Sequence, residues 1–247
     1  MDYKLLLDTA VMTGELMLEG GAETYRVEDT MHRMLSLSKL QTAEVFVTMT
    51  GFVATLDDPA IHSMTVVRRI RSRGTDLNRI DELNTLSRRL CTEELSLEEA
   101  FRKVRLLKRQ PVKAQAFLFA TPVVTAAFGL TYGGSLTEAL AAALTGFFLA
   151  LCLYGCRRLR VQPFFGTLLG AAAASALAAG LLRLFPAFGS LDAVVIASIM
   201  PLVPGVAITN AVFDTLHGDY LSGTARTLEA FVTAAAVAMG IGIGLGF

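Results

Sequence analysis

The residue types best suited to chemistry in this sequence fall within one stretch, IMPLVPGVAITNAVFDTLHGDYLSGTARTLE, from Ile199 to Glu229. Pro201 and Pro204 stand three apart, with Gly205 next. Proline has no N–H, so a helix through this point loses its bonds from 201 to 197 and from 204 to 200. Free carbonyls and a helix break result. Broken membrane helices present such groups to substrates and ions. Polar residues follow at helical spacing: Asn210, Asp214 and His217 at i, i+4, i+7, then Ser222, Arg226 and Glu229 beyond Gly218. Asp214 supplies a charged acceptor and Arg226 a charged donor. The candidate substrate-binding residues are Pro201, Pro204, Gly205, Asn210, Asp214, Ser222 and Arg226. At the bilayer centre each ion costs about 2.5–3.5 kcal/mol on insertion scales, so a buried position requires pairing. A plainer reading places Asp214, His217, Asp219 and Arg226 in a solvated loop between two spans, with the prolines only kinking a helix. His217 and Asp219 suit that reading best.

The surroundings of this stretch are those of a membrane. The chain is 53% hydrophobic with a mean hydropathy of +0.53. Residues 1–113 hold 17 Lys/Arg and 17 Asp/Glu, whereas residues 114–247 hold 5 and 5. Zero net charge therefore hides two regions suited to different solvents, and neither has the basic excess that nucleic acid requires. Charge-free runs at 114–137, 139–156, 161–182, 193–213 and 230–247 are each near the roughly 20 residues that cross the hydrocarbon core. Five spans are predicted, near 113–132, 136–156, 163–183, 192–212 and 223–246. Small residues are dense in them, as in Gly240-x-Gly242-x-Gly244-x-Gly246. Such residues let helices approach closely in lipid.

Residues 1–112 read as a small α+β domain. Helical periodicity covers 2–19, 23–38 and 76–92, with Gly20-Gly21 stopping the first helix. Val-, Thr- and Phe-rich runs at Glu44–Met49, Phe52–Leu56 and Ser63–Ile70 predict a three-stranded antiparallel meander. Ser96 and Glu99 form a capping-box pattern ahead of a helix from 97 to about 109. The fold class expected is an α-helical membrane protein, with five transmembrane helices (113–247) preceded by this cytoplasmic domain. The basic residues Lys103, Arg105, Lys108, Arg109 and Lys113 precede span one, and Arg157, Arg158 and Arg160 follow span two. Both clusters belong on the cytoplasmic side, which puts the C-terminus outside. The N-terminus has no uninterrupted apolar core of the signal-peptide kind.

Little else suggests chemistry. His32 and His62 are isolated histidines. Glu15, Glu23, Arg26 and Glu28 surround Gly20-Gly21 and read as a solvated helix corner. The run Arg68, Arg69, Arg71, Arg73 reads as a solvated face. Cys91, Cys152 and Cys156 have no metal-site spacing. No catalytic set, cofactor motif or metal site is expected, which weighs against the alternative of another class, a membrane-anchored enzyme or sensor acting through residues 1–112.

The sequence resembles the threonine/serine exporter family, specifically its N-terminal half. The resemblance is carried by GELMLEGGAETYRVEDTM (14–31), RRIRSRGTDLNRIDELN (68–84), and above all PLVPG (201–205) with Asn210, Asp214, Gly218-Asp219, Ser222-Gly223 and Arg226. It implies a multi-pass inner-membrane secondary transporter that exports small hydrophilic amino acids, threonine and serine, driven by the proton-motive force and needing no cofactor. Longer members add a C-terminal membrane half, so the resemblance also implies a separate small membrane partner, or a second copy of the chain. Some two-gene members are associated with export of dicarboxylates such as succinate, which keeps that substrate class open.

Overall fold

The computed structural model describes residues 1–108, 114–132 and 134–246. The chain forms two compact units: Met1–Pro111 with Val206–Thr227, and Val112–Gly205 with Leu228–Phe247.

The first unit begins with α1 (Tyr3–Glu19) and α2 (Thr24–Ser36). Three strands follow: β1 (Thr42–Thr48), β2 (Gly51–Asp57) and β3 (Met64–Arg69). They pair antiparallel in the order β1-β2-β3, in register Phe46↔Val53↔Val67, which is the meander predicted. Alternation decides which face is buried. Phe52, Ala54 and Leu56 of β2, with Val45 and Val47 of β1, point into a core shared with Leu6, Met17, Val27, Met31 and Leu35. Next come α3 (Leu77–Cys91) and α4 (Leu97–Lys108). The capping box is present: the Glu99 N–H donates to Ser96 Oγ and the Ser96 N–H donates to Glu99 Oε2, each at 3.3 Å. The basic residues Arg109 and Lys113 lie outside the described residues.

The second unit is built from apolar helices: α5 (Ala114–Thr131), α6 (Leu136–Arg158), α7 (Pro163–Leu184) and α8 (Leu191–Ile199). A 3₁₀ turn over Met200–Leu202 follows α8. The chain then restarts as α9 (Gly205–Leu216), and α10 runs over Tyr220–Leu245. Among the described residues α6, α7 and α10 are long and apolar enough to cross a membrane. Leu191–Leu202 and Gly205–Leu216 make a fourth if that broken pair is one span. The span predicted at 113–132 corresponds to α5, a shorter apolar helix whose predicted first residue, Lys113, lies outside the described residues.

Backbones meet closely in this unit because the contact positions are small. A Cβ on Gly240 would strike the Leu168 carbonyl and Ala171, and one on Gly244 would strike Ser175 and the Ala172 carbonyl. Gly242, on the other side of α10, has open space around it. Gly240 and Gly244, four apart, are thus the packed positions on one side of the helix. Ser198 and Thr145 share a buried hydrogen bond across α8 and α6. Large apolar side chains such as Phe119, Val123, Leu140 and Phe231 are exposed, as lipid-facing positions require.

Candidate functional site

Asp214 and Arg226 meet inside the first unit. Asp214 lies near the end of α9 and Arg226 two turns into α10. Two local devices bring them together. Gly218, at φ +90°, ends α9: its N–H donates to the Thr215 carbonyl (3.1 Å) and the Asp219 N–H donates to the Asp214 carbonyl (2.8 Å). This left-handed C-cap reverses the chain, and glycine adopts it without a Cβ penalty. Gly223 then lets α10 pack tightly on α9, since a Cβ there would strike Thr215 Oγ1.

The Arg226 Nε–H donates to Asp214 Oδ2 at 2.8 Å. Asp214 is 0% exposed and Arg226 5% exposed. In so dry a site a lone charge is untenable, and the pair needs further polar partners. The corner between α1 and α2 supplies them. Asp214 Oδ1 accepts the Thr24 backbone N–H (2.9 Å) and Oδ2 accepts the Thr24 hydroxyl (2.9 Å). One Arg226 Nη donates to the Ala22 carbonyl (2.7 Å), and Asn210 Nδ2 donates to the Gly21 carbonyl (2.8 Å). Ser222 Oγ accepts the Met49 N–H from the β1–β2 turn at 3.2 Å.

That corner has its own logic. The Gly21 N–H donates to the Leu18 carbonyl and the Ala22 N–H to the Met17 carbonyl, with Gly21 at φ +88°. This is a second left-handed helix stop of the same type. The chain turns out of α1 with the carbonyls of Gly21 and Ala22 facing Asn210 and Arg226. At the start of α2, Glu23 sits in the N-cap position but makes no capping bond. The carboxylate of Asp214 takes that place from far along the chain, as an anion at a helix N-terminus is expected to do.

Of the predicted site residues, Asn210, Asp214, Ser222 and Arg226 are therefore all buried in the first unit. Gly205 opens α9, and Pro201 and Pro204 form the break before it: the Val203 N–H donates to the Met200 carbonyl at 3.1 Å, and no α-helical turn spans the two prolines. Pro201, Pro204 and Gly205 belong to the second unit. His217 is exposed and its ring stacks flat on Tyr25, with centroids 3.9 Å apart. Asp219 follows in the turn. Burial first, then the neighbouring Asp214 charge, raises its carboxyl above the usual range, opposed by His217. Glu28 is likewise raised, chiefly by burial, although its carboxylate accepts the Val47 N–H.

The residues that sequence reasoning passed over are Gly21, Ala22, Thr24 and Met49. All four contribute backbone groups, and three of them nothing else, so residue type does not reveal them. The available signal was the GGAET segment, which the family resemblance includes. Cys91, Cys152 and Cys156 are free thiols, and among the described residues no cluster of three or more His, Cys, Asp or Glu is placed to hold a metal ion.

Apolar helices of spanning length mark a membrane protein. Residues 8–247 match the family described as "Putative threonine/serine exporter", and the chain belongs to that family. A protein of Mycobacterium tuberculosis named "Probable threonine/serine exporter" is 26% identical over 246 residues, which is 97% of this chain and 46% of that relative. The chain thus spans about half the length of the curated relative it matches. No solved structure matches it.

Proposed function

We propose that this protein exports threonine and serine across the inner membrane, as one part of a secondary transporter driven by the proton-motive force. The observation that carries the reading is the buried Asp214–Arg226 pair in a member of this family. The pair is neutral as a whole, so a zwitterion exchanges one set of charges for another: its ammonium takes a place on Asp214 and its carboxylate a place on Arg226. Asn210 and Ser222 supply neighbouring polar groups. The break at Pro201, Pro204 and Gly205 releases carbonyls from helical bonding. A dicarboxylate such as succinate would bring two negative charges to a neutral pair, which disfavours it.

The M. tuberculosis relative is about twice as long as this chain, which supports a machine with a second membrane half, supplied by a partner chain or a second copy. In this reading α5 completes five spans, the domain at 1–112 is cytoplasmic and the C-terminus is outside. The test is efflux from cells preloaded with threonine, serine or succinate, expressing the chain with and without a candidate C-terminal half. Threonine and serine should leave faster only when both halves are present, and dissipating the proton gradient should stop them. Succinate efflux alone, or amino-acid efflux indifferent to the proton gradient, contradicts the proposal.

A further inference from the structure

The contact between Asp214 and Thr24 has a chemical peculiarity. A carboxylate accepting one N–H at a helix start is ordinary capping. Here the same carboxylate also accepts the hydroxyl of that same residue, so its two oxygens chelate the nitrogen and the β-oxygen of a single threonine, each at 2.9 Å. A free β-hydroxy α-amino acid offers the same two groups, on the same two carbons. Alanine offers only the nitrogen, and 2-aminobutyrate is threonine with a hydrogen in place of the hydroxyl. The second charge is also occupied by an acceptor: the Ala22 carbonyl lies on Arg226, where a carboxylate oxygen would bind. The mimicry comes from two residues, since the carbonyl of Thr24 itself continues into α2.

We infer that Thr24 is an internal stand-in for substrate. The corner between α1 and α2 occupies the Asp214–Arg226 site in the resting protein, and a free β-hydroxy amino acid must displace it. The inference rests on the proposed reading of Asp214 as a substrate-binding group. Its consequence is a threshold. Apparent affinity is the intrinsic affinity reduced by the fraction of molecules with the corner released, so export stays low until the cytoplasmic amino acid accumulates. It also explains why a transport site would be sealed: its occupant is already in place.

The experiment uses the purified full-length chain in nanodiscs, with L-threonine and L-2-aminobutyrate as probes. Thr24→Ala removes one of the two self-contacts, and a hydrogen bond to a charged group is strong enough that the apparent Kd for threonine should tighten about tenfold. In the wild-type protein, saturating threonine should accelerate hydrogen exchange at the Thr24 amide, whereas 2-aminobutyrate at the same concentration should not. The exchange measurement stands even if Thr24→Ala does not fold. Threonine binding that disappears in Asp214→Asn but leaves the wild-type Thr24 amide protected overturns the stand-in and keeps the substrate site. Threonine binding equally to wild type and Asp214→Asn, or binding to neither, overturns both.

Discussion

Asp214 gives up all contact with water and receives three donors in exchange: the Arg226 Nε–H, the Thr24 N–H and the Thr24 hydroxyl. Breaking such a pair by removing one partner typically costs about 3–5 kcal/mol, because the survivor is left buried and charged. Arg226→Ala and Asp214→Asn should each destabilise the first unit by amounts in that range. The double variant should cost clearly less than their sum, which chemical unfolding of the three proteins measures. Asp219 and Glu28 act in the opposite sense. Burial raises both carboxyls above their ordinary values, so the folded state binds protons more tightly than the unfolded chain. Their contribution to stability is fully present below the unfolded values, near 4, and is lost as pH rises through the raised folded values. Asp219→Asn and Glu28→Gln should therefore flatten the fall in melting temperature on going from about pH 4 towards neutrality. Curves parallel to wild type would show that neither group titrates abnormally. At this scale the sequence was informative about one side of the site only. Asp214 and Arg226 stand out as charges in an apolar stretch. Their partners at Gly21, Ala22 and Thr24 lie some 190 residues away, and two of those three contribute only carbonyls. His217 reads as a loop residue and is one, but its stacking on Tyr25 follows from no local pattern.

The elements that deliver these groups depend on two glycine-ended helices. Gly21 is the more demanding of the two. Besides its φ of +88°, a Cβ there would lie 2.7 Å from the Gly74 carbonyl. Gly21→Ala should cost about 1–3 kcal/mol, the usual range for a side chain forced into a sparsely populated conformation. Gly74→Ala, with nothing within 4 Å of its added Cβ, should stay within about 0.5 kcal/mol of wild type. Thermal unfolding of the two variants compares strain with mere loss of glycine, and equal melting temperatures would remove the close approach from the account. The helices and the meander of the first unit were readable from periodicity, because each buries one face on a single core. The helices near the prolines were only partly readable. Hydropathy marks 192–212 as one span; the break within it was legible from Pro201 and Pro204, and the helix does stop at Ile199 and restart at Gly205 after a 3₁₀ turn. It likewise marks 223 as the start of the last span, although α10 begins at Tyr220 with polar residues in its first turns. A hydropathy window registers the solvent a segment suits, and a helix does not end where its solvent changes.

For the molecule as a whole, the contrast between 17 and 5 charges of each sign already separates a water-suited region from a lipid-suited one. What composition does not encode is that Val206–Thr227 packs as part of the first unit, bracketed in sequence by apolar helices of the second. That arrangement makes the Asp214–Arg226 pair a junction where the N-terminal corner, α9 and α10 share one set of charges. Exporter family membership, the neutral buried pair and the threonine seated on it support the proposal that these two residues handle a zwitterionic amino acid. The most direct test is threonine efflux from preloaded cells expressing wild type or Asp214→Asn together with a candidate C-terminal half, at matched levels of membrane-inserted protein. Efflux should fall to the background of cells lacking the exporter. Efflux at the wild-type rate from properly inserted Asp214→Asn protein would contradict it.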